Sequence, residues 1–166
     1  MDREMFIEKG IIKFGDFTLT SGKKSNYYID IKEACTYPET LSEICDELAK
    51  KTIYNTVAGM ELGAVPLIVG VSLKTNKPYI IIRKEEREHG TKKRVIGNII
   101  VGNKVDLIED VVTTGNSLLK TAVVLRNSGA IVDHALCVVD RENGGSELLK
   151  ENGIKLESVK KVSELL

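Results

Sequence analysis

The second half of the chain alternates apolar strand-like runs with helix-like segments, and this alternation constrains the fold more than any other feature. Tyr79 to Ile82 is apolar without a break. Val95 to Val101 and Lys104 to Ile108 read as strands joined by a Gly102-Asn103 turn, and Ile131 to Val139 reads as another. Between and after them lie Ser117 to Asn127, a helical pattern stopped near Gly129, and a further helix beginning at Ser146. A short strand near Leu156 and a terminal helix follow. An antiparallel sheet with one wet face would alternate apolar and polar residues. Continuous apolar strands separated by helices instead imply an α/β fold whose mostly parallel central sheet is covered on both faces by helices. The first half is compatible with this. Glu4 to Phe14 reads as a short amphipathic helix, and Phe17-Thr18-Leu19 and Tyr27-Tyr28-Ile29 as short β-prone runs flanking a polar turn. In Pro38 to Tyr54, Leu41, Ile44, Cys45, Leu48 and Ala49 share a helical face. Thr36 and Glu39 have capping-box spacing before that helix, and Pro38 suits its first turn. Thr56 to Ala58 is a short strand ending at Gly59, and Val65 to Leu73 an apolar helix.

A length of 166 residues suits one domain, 1–166, with about 1–35 as a small N-terminal hood over the core. Lys plus Arg and Asp plus Glu number 24 each, so no global field draws the chain to nucleic acid or an anionic membrane. Binding of an anion must come from local clusters. Cys35, Cys45 and Cys137 have no metal-ligand spacing and read as free thiols of a reducing compartment. No run approaches the roughly 20 apolar residues of a membrane helix. Met1-Asp2-Arg3-Glu4 does not resemble a secretory signal, so the expected location is cytoplasmic.

In open α/β sheets, ligands bind beyond the carboxyl ends of the strands. The run from Val105 to Ile108 leads into Glu109-Asp110, then Val111-Val112-Thr113-Thr114-Gly115-Asn116-Ser117, where a helix begins. A helix start offers unpaired N–H groups and the positive end of a dipole. Small residues let a phosphate approach that backbone, and Thr113, Thr114 and Ser117 add hydroxyls. Glu109 and Asp110 are acceptors, suited to sugar hydroxyls. Together they fit a ligand with a phosphate at one end and a diol beside it, as in ribose 5-phosphate. A strand–turn–helix whose Thr or Ser merely caps the helix would use the same residue types. No Lys lies in the loop, so a Walker-type nucleotide site is not expected.

Val105 to Ser117 resembles the signature that binds 5-phosphoribosyl 1-diphosphate (PRPP) in type I phosphoribosyltransferases. Three further segments resemble the orotate phosphoribosyltransferases, in order along the chain. Phe17 to Asp30 is similar to their N-terminal hairpin over the base, Arg83 to Gly90 to their catalytic loop, and Val138 to Gly145 to a segment whose arginine holds orotate. Gly59 to Pro66 resembles the loop that meets pyrophosphate. The resemblance implies that the whole run from Glu109 to Ser117 binds PRPP, Val111 and Val112 included, that Glu109 and Asp110 face the ribose hydroxyls, and that Thr113, Thr114, Gly115, Asn116 and Ser117 cradle the 5-phosphate. It implies catalytic roles for Arg83, Lys84, Arg87 and His89, and orotate contacts from Thr113, Arg141, Tyr27 and Tyr28. It further implies Mg²⁺ as cofactor, held with substrate oxygens rather than by a dedicated protein metal site, and a homodimer with shared active sites.

Elementary chemistry agrees with these roles. From Arg83 to Arg94 six cations face three acids, a local positive excess in a neutral chain and suited to a departing diphosphate. A guanidinium just after a buried strand, as at Arg141, can grip a carboxylate in two places. Orotate has a carboxylate; adenine, hypoxanthine and uracil do not. His134, inside a strand pattern, reads as structural. Two positions depart from the family pattern: Arg87 stands where Lys is common, and Thr20 where some relatives have Lys. Arg87 keeps the charge but cannot deliver a proton, so a large rate gain in Arg87→Lys would mark proton transfer at that position. The readings left open are transfer to another base and a non-catalytic PRPP-binding regulator.

Overall fold

The computed structural model describes residues 1–85 and 93–166. Arg87 and His89 lie outside the described residues. The chain forms a six-stranded sheet flanked by helices, with a separate two-stranded hairpin near the N-terminus. The α/β class with a mostly parallel sheet is therefore as expected.

Helix α1 (Arg3–Glu8) is capped by Asp2, whose carboxylate accepts from Met5 N. It is shorter than the expected Glu4 to Phe14. Gly10 takes φ +66, and Ile11 N turns back to Phe6 O, closing the helix and freeing Ile12 to start a strand. Strands β1 (Ile12–Thr18) and β2 (Lys24–Ile29) pair antiparallel. The four-residue helix α2 (Ile31–Ala34) follows, then α3 (Pro38–Lys51). The capping box expected from Thr36 and Glu39 is absent. Tyr37 is the N-cap and supplies no side-chain bond, while the Thr36 hydroxyl donates back to Glu33 O. The helix also ends before Tyr54, because the N–H groups of Ile53 and Tyr54 are taken by the buried carboxylate of Asp106.

The main sheet comprises β3 (Val57–Met60), β4 (Tyr79–Ile82), β5 (Val95–Ile96), β6 (Lys104–Val112), β7 (Ile131–Asp140) and β8 (Lys155–Lys161), in the spatial order β5-β4-β3-β6-β7-β8. All neighbours run parallel except β4 and β5. The strand expected over Val95 to Val101 stops at Ile96. Gly97 has φ +119, and a side chain there would meet Tyr79 O at 2.9 Å. Helices α4 (Ala64–Thr75), α5 (Asn116–Asn127) and α6 (Gly145–Glu151) complete the layers, and the expected terminal helix is a short 3₁₀ turn, Val162–Glu164. Two apolar cores result. One joins α3 and α4 to the sheet through Ile44, Leu48, Leu67, Ile68 and Ile108, and takes in Phe6, Ile12 and Ile31 of the N-terminal segment. The other joins α5 through Leu107, Leu118, Ala122 and Leu125.

The order has one functional consequence. From β3 the chain steps outward to β4 on one side, and the next long strand, β6, lies on β3's other side. The connections at the carboxyl ends of β3 and β6 therefore part, which opens a crevice of the kind that receives ligands.

Candidate active site

Strand β6 outruns its neighbour. It pairs with β3 only at Asp106 and Leu107, but with β7 as far as Val112. The sequence suggested that β6 ends before the two acids; instead the strand carries them, supported from the β7 side alone. A cleft of about 420 Å³ occupies the space left on the β3 side, bordered by Glu61, Gly63, Lys84, Glu109, Asp110 and Ser117, among others.

Successive strand residues point to opposite faces. Asp110 turns toward α2 and the loop after β3, where it is 8% exposed. One carboxylate oxygen accepts from Val111 N at 2.9 Å and the other from Lys32 Nζ at 3.0 Å. Gly63 presses on the same carboxylate, and a Cβ there would lie 2.4 Å from Oδ2. Glu109 turns toward the loop that enters α5. Burial, reinforced by the negative charge of Asp110, pushes its carboxyl up to about 8. For Lys32, burial works against the charge, but Asp110 outweighs it and holds the ammonium above its ordinary value. The pair thus divides into a charge-compensated acid and an uncompensated one, the latter disposed to gain from hydroxyl donors.

Thr113 to Ser117 surround a small hollow of about 120 Å³ together with Glu109. Gly115 is the N-cap of α5 with φ +84, a conformation costly for any residue with a side chain. Among the described residues no side chain caps this helix, so the cap expected from a plain strand–turn–helix is missing there and the first N–H groups of α5 are open to an anion. The Asn116 amide donates to Thr114 Oγ1 at 3.1 Å, tying the loop to itself. Gly145 fixes it from below: a Cβ there would be 2.5 Å from Val112 Cγ1 and 3.0 Å from Thr113 O. Two glycines, 115 and 145, let the loop and the start of α6 pack backbone to backbone.

Arg141 follows β7, and its N–H donates to Val112 O at 2.8 Å, so its backbone is anchored to the end of β6 beside Thr113. Its Nη2 donates to the Tyr27 hydroxyl at 3.1 Å, and its guanidinium carbon lies 5.2 Å from the centre of the Tyr27 ring. The Nε is buried and has no partner among the described residues. Thr113, Arg141 and Tyr27 are thus gathered at one place. Tyr28 is exposed on the opposite face of the hairpin, its ring 5.7 Å from that of Phe17. The alternation of β2 separates the two tyrosines that stand together in sequence.

At the base of the 83–94 segment, Arg83 N donates to Arg94 O at 2.7 Å, and Arg94 returns bonds to the carbonyls of Arg83 and Lys84. Lys84 N donates to Glu61 Oε1 at 2.8 Å, which places Lys84 on the cleft. Lys32 was not foreseen. It lies 78 positions from Asp110 on a four-residue helix, where no periodicity marks it. His134 is structural in its setting: buried, with Nδ1 2.7 Å from Asp106 and Nε2 2.6 Å from Glu157.

Comparison with known proteins places this site in a family. Residues 38–162 match the phosphoribosyl transferase domain. A Thermoplasma volcanium protein named orotate phosphoribosyltransferase is 57% identical over 162 residues, 98% of this chain and 97% of its own. Its Picrophilus torridus namesake is 54% identical over 165 residues, 99% of each. The crystal structure of orotate phosphoribosyltransferase from Aeropyrum pernix superposes with a TM-score of 0.89 at 33% identity, covering 100% of this chain and 96% of that one. A crevice between diverging strands, an uncapped helix start and an arginine with an unfilled donor thus belong to a chain that is a member of the phosphoribosyltransferase family, in its orotate phosphoribosyltransferase branch.

Proposed function

We propose that the chain transfers the 5-phosphoribosyl group of PRPP to orotate, giving orotidine 5'-monophosphate and pyrophosphate in the de novo synthesis of UMP. The observation that carries the choice of base is Arg141, whose buried Nε has no partner among the described residues while Nη2 is tethered to Tyr27. A buried donor left unpaired costs about 1–3 kcal/mol, which a carboxylate on the substrate would recover. Purines and uracil offer only neutral acceptors, without the two charged oxygens that a guanidinium can grip in two places.

The 5-phosphate occupies the start of α5, with Thr113, Thr114 and Ser117 as hydroxyl donors. The ribose diol lies against Glu109 and Asp110. The diphosphate extends into the cleft beside Gly63 and Lys84. An orotate ring nitrogen attacks the anomeric carbon and its proton passes to solvent, while the bond to the diphosphate oxygen breaks with its electron pair leaving on pyrophosphate. Positive charge that develops on the sugar in this oxocarbenium-like passage lies close to the Asp110 carboxylate, with the Glu109 carboxyl beside it. Arg83, Lys84 and Arg87 neutralise the leaving group, and His89 donates a proton to it.

Mg²⁺ fits this site as a substrate-borne ion. The side chains that line the cleft include the carboxylates of Glu61, Glu109 and Asp110 and the hydroxyl of Ser117, all hard oxygen donors. Such surroundings suit a hard cation that keeps water and takes ligands from phosphate, and its chemistry here is charge neutralisation of the diphosphate. The same proposal includes a homodimer whose 83–94 segments complete each other's sites, acting in the cytoplasm, where the three buried thiols stay reduced.

The test is turnover of orotate with PRPP and Mg²⁺, beside parallel reactions with adenine, hypoxanthine and uracil. Orotate alone should be consumed. Arg141→Ala should raise the KM for orotate about 10- to 100-fold, the range for one or two lost bonds to a charged group. Consumption of another base, or an unchanged orotate KM in Arg141→Ala, would overturn the assignment.

A further inference from the structure

The cleft beside β6 poses a charge problem. Glu61, Glu109 and Asp110 all border it, and none attracts a diphosphate. Glu61 is engaged with the backbone of Lys84. Among the described residues that line the cleft, only Lys32 and Lys84 carry ammonium groups.

Lys32 is presented by a fixed support. Ile31 and Ala34 of α2 are buried in the core, Asp30 caps the helix by accepting from Glu33 N at 3.2 Å, and Asp30 N donates to Ile11 O at 2.9 Å. The stem of Lys32 therefore leaves α2 on its open side and reaches Asp110 at 3.0 Å. An ammonium has three N–H donors, and the geometry gives one to Asp110. The side chain remains 60% exposed, so its other donors face the cleft rather than the protein.

We propose that Lys32 is a phosphate-binding residue of the PRPP site. Its ammonium bridges Asp110 and the diphosphate, so that one cation orients the carboxylate toward the ribose diol and neutralises the leaving group beside it. The inference rests on the reading of this cleft as the diphosphate end of PRPP. A lysine that served only to compensate buried Asp110 would have no direct effect on pyrophosphate, and this difference makes the idea testable.

The experiment is titration calorimetry of pyrophosphate with Mg²⁺ into the whole chain, wild type against Lys32→Met and Lys32→Arg, together with steady-state kinetics and melting temperatures. Lys32→Met should weaken pyrophosphate binding tenfold or more and raise the KM for PRPP by a similar factor. Lys32→Arg, which keeps charge and donors, should recover most of both. If Lys32→Met does not fold, Lys32→Gln, which keeps a donor for Asp110 but no charge, gives the same comparison. Unchanged pyrophosphate affinity in a folded, uncharged variant refutes the role of Lys32 alone. A wild-type chain that neither binds pyrophosphate nor turns over orotate refutes the reading of the cleft itself.

Discussion

Gly63→Ala is the most informative single change outside the charged residues. Gly63 has φ −61 and ψ −32, a conformation open to any amino acid, so backbone strain does not require glycine there. Contact does. The added methyl would lie 2.4 Å from Asp110 Oδ2 and 2.7 Å from its Cγ, where ordinary contact begins near 3.4 Å. Something must retreat by about 1 Å. Asp110 resists, since its oxygens are held at 2.9 Å by Val111 N and at 3.0 Å by Lys32. The loop can yield, because Leu62 is 72% exposed. Either movement displaces one wall of the cleft by about 1 Å, and misplacement of that size in a reacting complex costs about 10²-fold in rate, or about 2.7 kcal/mol. We expect kcat/KM for PRPP to fall about 100-fold, with a melting temperature within a few degrees of wild type. The assay is initial rates of orotate consumption at varied PRPP, with thermal unfolding as control. Activity within threefold of wild type in a well-folded Gly63→Ala protein would refute the argument that close packing of this loop on Asp110 sets the site.

Two further outcomes follow from the same contacts. Gly145→Ala would drive a methyl to 2.5 Å from Val112 Cγ1 and against the 113–115 backbone, so affinity for ribose 5-phosphate, measured by calorimetry, should drop about tenfold or more. His134 should make stability depend on pH. Its bond to Asp106 outweighs the effect of burial and, with Glu157, raises its pKa above the ordinary 6.5, so this contribution is complete below pH 6.5 and lost as pH rises through the raised folded value. Glu157 is lowered by the same pairing with His134, so its share is present above about 4.5 and lost on acidification. The urea midpoint of the wild type should therefore be higher at pH 6 than at pH 9, and His134→Gln should flatten that difference.

Local pattern carried far in this chain. The apolar run within β7 marked a strand buried on both faces of the sheet, and the run Tyr79–Ile82 also formed a parallel strand, although there only Ile80 and Ile82 are buried and Tyr79 is exposed. The acidic pair and the small-residue loop that leads into α5 were also legible as a local strand–loop–helix pattern, although the strand runs through the acids instead of ending before them. Some errors were local, as where Gly10 closes α1 early; others fell where a distant partner intervened. Asp106 ends α3 by capturing the N–H groups of Ile53 and Tyr54, and Tyr79 O leaves no room for a side chain at Gly97. Neither effect has a local signal.

The sequence by itself determined the α/β class and the residue types that each motif offers, because hydrophobic period and side-chain type are local properties. Only the tertiary structure decided which of Tyr27 and Tyr28 meets Arg141, that Lys32 reaches Asp110, and that Gly63 presses on the same carboxylate. Those outcomes depend on which face of a strand is buried and on segments 47 to 114 positions apart being brought within a few ångströms, by the packing of both cores rather than by any residue's own preference.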